Sequence, residues 1–247
     1  MKNDPPKIDT KHPKTGSLQP DFASLDPKNR YANPHFCISA EEFNNARNWF
    51  YELENRDADD TIYYPSSTSH CILSAPHAVR HLRDGKTKLA EPTSISYVSI
   101  LSKLTNSSSL YATRASSVDA YQSKLRNCIA NGRFKLLLDM HSMAPTHTEL
   151  ANVGIAHGAL LNTEAKRKSF NIFMDLFAKN GIDVSIDHPF AATQPQTNAF
   201  QFGRDPNLLA LQLEMNSKLS HPEYNTELNS CLKSLTQFID YTQSKEF

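Results

Sequence analysis

The sequence predicts an α/β chain folded as a three-layer sandwich, and three features point to it. Segments with an apolar stripe at helical spacing alternate with short apolar runs over most of the chain. Phe134 to Met140 is nearly unbroken and Leu208 to Glu214 reads the same way, as central strands covered on both faces do. A length of 247 residues with 39% apolar content suits one sizeable core better than two small domains.

Residues 1–36 stand apart. Pro5, Pro6, Pro13, Pro20, Pro27 and Pro34 lie among lysines and aspartates with almost no apolar periodicity, so this part reads as a Pro-rich N-terminal arm. A single α/β domain is expected over 37–247. Its first helix starts at Ser39, where Ser39 and Glu42 have capping-box spacing and Phe43, Ala46, Phe50 and Leu53 form a stripe expected to pack on the sheet. Strands are expected at Ile62 to Tyr64 and His70 to Ser74, followed by a helix through Ile95, Val98, Leu101 and Leu104. Ser109 to Thr113 reads as a strand, and Val118, Tyr121, Leu125 and Ile129 mark another helix, giving a βαβα order.

Asn131-Gly132 bounds the central strand at Phe134 to Met140, and Val153 to Ala156 is expected to pair nearby. Phe170, Phe173 and Phe177 stripe a helix that stops near Asn180-Gly181, and Asp183 to Asp187 follows as a strand. After Leu208 to Glu214, a last helix carries Leu228, Leu232, Leu235 and Ile239. Residues 188–207 show little periodicity, and a loop of that length in a compact domain is usually functional. Sites in such sandwiches lie beyond the carboxyl ends of central strands.

Composition narrows the partners. Lys+Arg and Asp+Glu both total 26, so no global field draws the chain to nucleic acid or an anionic membrane. There is no apolar run of about 18 residues and no signal-peptide core, so a cytoplasmic location is expected. Cys37, Cys71, Cys128 and Cys231 are widely spaced without a C-x-x-C pair, and read as reduced, buried thiols. The sequence carries no signal for oligomeric state.

The chemistry gathers at strand ends. The apolar run from Cys71 ends in Pro76-His77, and Leu136-Leu-Leu-Asp-Met-His-Ser142 repeats the device with His141. Glu91 stands just before Pro92-Thr93 and a new helical pattern. Two histidines and a carboxylate make a three-ligand zinc site with an open position for water. Asp139 and His141 share a face of their strand, so Asp139 can accept the second N–H of a ligating His141; the competing reading is a turn cap. His77 and His81 at i, i+4 are a further candidate pair, opposed by Pro76, which disfavours a helix there.

On the last strand Gln212 and Glu214 oppose the face of Leu209, Leu211 and Leu213. Burying Glu214 without a role is costly, so it is the candidate general base for a metal-activated water, against a salt-bridged structural carboxylate. Asp119 reads as a helix N-terminal charge.

These residues resemble the N-formylglutamate amidohydrolases and their relatives in the zinc-carboxypeptidase-like superfamily. The likeness spans roughly residues 70 to 216. It rests on Leu73-Ser-Ala-Pro-His-Ala78, on Arg83, Gly85 and Lys88 leading to Glu91, on Asp139-Met-His-Ser142 and on Gln212-Leu-Glu-Met-Asn216. The resemblance implies a mixed, mainly parallel sheet flanked by helices. It implies one zinc ion on His77, Glu91 and His141, with Glu214 as the catalytic carboxylate. The chain lacks the compact H-x-x-E spacing of the carboxypeptidases and the D-x-D-W segment typical of formylglutamate deformylases.

The expected function is zinc-dependent hydrolysis of the amide of a small N-acylated amino acid. A zinc peptidase or cell-wall-peptide amidase acting on short peptides is the alternative, and a non-catalytic zinc- or ligand-binding protein is the rival of another class. An acylated amino acid carries a carboxylate, for which a bidentate arginine is the usual partner. Among Arg80, Arg83, Arg114 and Arg204, the expected substrate-binding pair is Arg83 and Arg114.

Overall fold

The structure, a computed structural model, describes residues 37–54, 61–66, 68–83, 86–113 and 118–244. The expected N-terminal arm lies outside the described residues. In chain order the strands are β1 (Thr61–Tyr64), β2 (Cys71–Ala75), β3 (His81–Arg83), β4 (Lys86–Lys88), β5 (Ser108–Ala112), β6 (Leu136–Met143), β7 (Ala151–Gly154), β8 (Val184–Ile186) and β9 (Leu209–Asn216). The helices are α1 (Ala40–Glu54), α2 (Pro92–Thr105), α3 (Val118–Asn131), α4 (Glu164–Lys179), α5 (Asn198–Phe202) and α6 (Asn225–Ser244).

Seven strands form a mixed sheet in the order β1-β5-β2-β6-β9-β7-β8. Pairs β2–β5, β2–β6, β6–β9 and β7–β8 run parallel, and β1–β5 and β7–β9 antiparallel. Both long apolar strands are central, as their composition demands: every residue of β9 is buried, and all of β6 except Ser142. One face of the sheet is covered by α2 and α6, and α4 packs on α6 through an edge-on Phe173–Phe238 contact at 5.2 Å. The other face carries polar side chains at its heart. There Tyr121 of α3 reaches Ser74 at 3.0 Å, and Asn198 of α5 reaches Asp139 at 3.0 Å.

Local chemistry starts the helices where the residues dictate. The Glu42 N–H donates to Ser39 Oγ at 3.1 Å while Glu42 Oε2 accepts the Ser39 N–H at 2.9 Å, a complete capping box for α1. Thr163 caps α4 by accepting the Lys166 N–H at 3.3 Å. Pro92 opens α2 in its first turn, and Asn106, in left-handed backbone with φ 52°, ends it.

Three expectations change. The stripe of α1 meets α2, not the sheet, because α2 already covers that face; Phe43 packs edge-on to Tyr97 at 5.0 Å. Residues 188–207 contain the short helix α5, and β3 pairs antiparallel with β4. Of the cysteines, Cys71, Cys128 and Cys231 are buried free thiols, whereas Cys37 is exposed.

Candidate metal centre

The carboxyl ends of β2, β6 and β9 deliver the polar residues to one place. His77 sits in the turn that Pro76 starts after β2. Glu91 occupies the N-cap position of α2 but spends no side-chain hydrogen bond on capping the helix. The excursion from His77 to Glu91 closes on itself, because the Glu91 N–H donates to the His77 carbonyl at 2.7 Å. His141 and Asp139 share a face of β6, and the parallel register sets His141 beside Glu214 and Asp139 beside Gln212.

Glu91 is the hub. Its Oε1 lies 3.0 Å from His77 Nδ1 and its Oε2 3.1 Å from His141 Nδ1. The backbone N–H of Ser142 also donates to Oε2 at 3.1 Å, and the Ser142 and Thr93 hydroxyls are hydrogen-bonded to each other. Behind His141, its Nε2 meets Asp139 Oδ2 at 3.1 Å. Asp139 is itself fixed, its Oδ1 accepting Ser74 Oγ at 2.6 Å and Asn198 Nδ2 at 3.0 Å. The ring of His77 is held between His81, stacked at 3.9 Å and 5°, and His141, edge-on at 4.9 Å.

One ligand atom from each of His77, Glu91 and His141 lies within 4.8 Å of the others. The donor set fits a borderline-soft divalent ion: two imidazole nitrogens and one carboxylate, one of the combinations found in three-ligand catalytic zinc sites. Asp139 engages the far nitrogen of His141, which leaves Nδ1 as the nitrogen turned to the shared position. The arrangement can hold a metal.

Charge is concentrated here. Burial alone would raise Glu91, but His141 and His77 outweigh it and hold the carboxyl below the usual range. Burial would lower His141, yet Asp139, Glu91 and Glu214 raise it well above an ordinary imidazole. Glu214, 6% exposed, is pushed up to about 7, chiefly by burial, with His141 pulling the other way. Its Oε1 accepts Gln212 Nε2 at 2.9 Å.

No protein-family model and no curated protein matches the chain. Solved structures do resemble it. An N-formylglutamate amidohydrolase from Ralstonia eutropha aligns over 76% of this chain and 99% of its own, at 11% identity and a TM-score of 0.49. A bacteriophage poly-gamma-glutamate hydrolase aligns over 79% and 96%, at 13% identity and a TM-score of 0.45. A metallo-carboxypeptidase from Pseudomonas aeruginosa aligns over 85% and 70%, at 12% identity and a TM-score of 0.48.

A cavity of about 530 Å³ opens over the cluster. His77, Glu91, His141 and Glu214 border it, together with residues 189–194 and 196–198. The segment singled out for its length therefore lines the site. His81 does too, from a strand and not as a helical partner of His77, because residues 76–79 are turn and bend. Of the candidate arginines with described side chains, Arg80 and Arg204 do not line the cavity. Arg204 is exposed and stacks over Phe200 at 4.4 Å, away from the cavity wall. Arg114 lies outside the described residues, as does the side chain of Arg83.

Sequence reasoning missed Ser74, Asn198 and Gln212 as members of the site. Ser74 and Gln212 carried a usable signal, a polar residue on the Asp139 face of a central strand. Asn198, in a stretch without periodicity, carried none. Among the described residues, no helix is long and apolar enough to cross a membrane.

Proposed function

We propose that the chain is a zinc-dependent hydrolase that cleaves the amide bond of a small N-acylated amino acid. The observation that carries the reading is the convergence of His77, Glu91 and His141 on one position in the cavity, with the buried carboxylate of Glu214 next to His141. His77, Glu91 and His141 would hold the ion. Zinc bound there supplies Lewis-acid polarisation of the scissile carbonyl and lowers the pKa of water.

The chain's own residues do the rest. Glu214 takes a proton from the attacking water and passes it to the departing nitrogen, so the C–N bond breaks to leave a carboxylate and an amine. Burial raises the Glu214 carboxyl in the metal-free chain, the direction that suits a group exchanging protons near neutral pH. Asp139 keeps His141 in the tautomer whose Nδ1 lone pair faces the donor position. Arg83 and Arg114 are proposed to bind the substrate carboxylate as bidentate partners. A cavity of about 530 Å³ has the size of a small-molecule site, which favours an acyl amino acid over a long peptide.

The deciding experiment is hydrolysis of a panel of N-acyl amino acids and short peptides by protein of measured zinc content. Release of a free amino group from a panel member is expected. Protein that holds one equivalent of zinc and hydrolyses nothing would instead be a metal-binding protein without turnover.

A further inference from the structure

One side of the cavity takes no part in the metal chemistry. Phe190 and His147 both line it, and their rings meet edge-on at 5.6 Å. Each is only partly buried, and Phe190 stays outside the hydrophobic core, so its ring is kept at the cavity and not spent on the interior. Met143 and Pro189 line the cavity with them.

Both rings stand on pinned backbone. Asn152, buried on β7, donates from Nδ2 to the His188 carbonyl at 2.7 Å, and the Ala156 N–H donates to the Ala191 carbonyl at 2.7 Å, so the chain is held on either side of Phe190. Gly154 lets that segment lie against β7, because a Cβ there would stand 2.9 Å from both the Phe190 carbonyl oxygen and the Ala192 Cβ. The His147 carbonyl accepts Asn216 Nδ2 at 3.0 Å and Lys218 Nζ at 3.3 Å. A surface fixed before its ligand arrives loses little freedom on binding.

The sheet order decides which end of a substrate this surface meets. Strands β2, β6 and β9, which deliver His77, His141 and Glu214, are followed in the sheet by β7 and β8. His147 lies between β6 and β7, and Phe190 follows β8. Arg83 and Arg114, the proposed partners of the substrate carboxylate, belong to the segments that leave β2 and β5. With the carboxylate on the β2–β5 side and the reacting carbonyl over the cluster, the acyl group extends toward β7 and β8. Among the described residues lining the cavity there is no arginine or lysine, whereas Glu91, Asp139 and Glu214 are there. An acyl chain with its own carboxylate finds no described cation to meet it, and an aromatic ring finds two rings to pack against.

We infer that Phe190 and His147 form the acyl subsite and that the group they take is neutral and carries an aromatic ring, so the preferred substrate is an N-arylacyl amino acid. This rests on the hydrolase reading, in taking the cavity as the place where substrate binds and the two arginines as its carboxylate partners.

Three compounds that share one amino acid separate the possibilities: N-phenylacetylalanine, N-acetylalanine and N-succinylalanine, offered to the zinc-supplied protein. They are compared by kcat/KM where turnover occurs and by calorimetric Kd where it does not. Burial of one ring against the pair predicts a preference for N-phenylacetylalanine on the order of 10- to 100-fold over each of the others. Phe190→Ala should shrink that preference while zinc content stays the same, with folding checked by thermal melting. Equal handling of the phenylacetyl and acetyl compounds, a preference for N-succinylalanine, or a preference that survives in folded Phe190→Ala overturns the subsite, and the wild-type comparison decides even if the variant fails to fold. A preference for N-phenylacetylalanine in binding with no turnover would refute the hydrolase reading and leave the subsite standing.

Discussion

Replacing Asp139 by Asn tests whether the chain tunes its metal donor through a single proton. The substitution preserves shape, so the outcome follows from hydrogen-bond polarity. At Oδ1 two donors arrive, Ser74 at 2.6 Å and Asn198 at 3.0 Å, and the asparagine oxygen must take that position. Its NH2 then faces His141 Nε2, 3.1 Å from the original carboxylate oxygen. If His141 keeps its proton on Nε2, two donors oppose each other in a buried place. If the proton moves to Nδ1, the pair is satisfied but the lone pair facing Glu91 and the donor position is lost. An unmade buried hydrogen bond is worth about 1–3 kcal/mol, which is on the order of 5- to 150-fold in an equilibrium constant. Zinc affinity of Asp139→Asn, measured by competition with a chromophoric chelator, should fall within that range. Wild-type affinity in a folded variant would show that Asp139 does not set the tautomer of His141.

Glu214→Gln should lose on the order of 10²- to 10⁴-fold in kcat, as removal of a general base does, with zinc content unchanged; wild-type turnover would rule Glu214 out as the base, and loss of zinc would make it a ligand. The same variant gives a pH test on chelator-treated protein. A carboxyl at about 7 in the folded chain and about 4.3 unfolded gives stability that is full below the unfolded value and lost as pH rises through the folded one. Wild-type melting should therefore fall relative to Glu214→Gln between roughly pH 4.3 and pH 7, and a constant difference would refute the raised value. Phe173→Ala, at a fully buried ring 4.7 Å from Phe177 and 5.2 Å from Phe238, should cost about 3–5 kcal/mol in urea unfolding; a loss below about 1 kcal/mol would refute the α4–α6 packing. Native protein should show one thiol that reacts quickly with an aromatic disulfide, the exposed Cys37, because burial raises Cys71 to about 12 and Cys128 to about 11. Fast reaction of a second thiol would contradict that burial.

Most of the sheet was legible because its strands are bounded apolar runs and its helices carry stripes of the right period. Phase was readable and seating was not: the stripe at Phe43 and Ala46 says that a face of α1 is buried, and only tertiary packing decides that α2 buries it. The β3–β4 hairpin escaped because its strands are three residues each and Lys86 to Lys88 are all exposed, so no alternation marks them. Helix α5 escaped because five residues make too little of a period.

The site divides the same way. His77, His141 and Asp139 announced themselves as polar residues ending apolar strands, and Glu91 by its place before Pro92. The amides of Gln212 and Asn198 acquire meaning only when β9 and α5 close around Asp139. Arg83 and Arg114 were chosen for the chemistry of a substrate carboxylate, not for any pattern in the chain.

The hydrogen bond between the Glu91 N–H and the His77 carbonyl separates two kinds of change that the chain can undergo. It pins the stem of the 77–91 excursion, so the hairpin between acts as an inserted cassette whose size is not transmitted to the residues at its base. Doubling a flexible loop costs only about 0.6 kcal/mol in closure entropy. Between His77 and Glu91, His81 is the described residue that lines the cavity, and it stacks on His77. Changes of length beyond His81 can thus leave His77 and Glu91 in register, whereas an exchange at His81 reaches the chemical core directly.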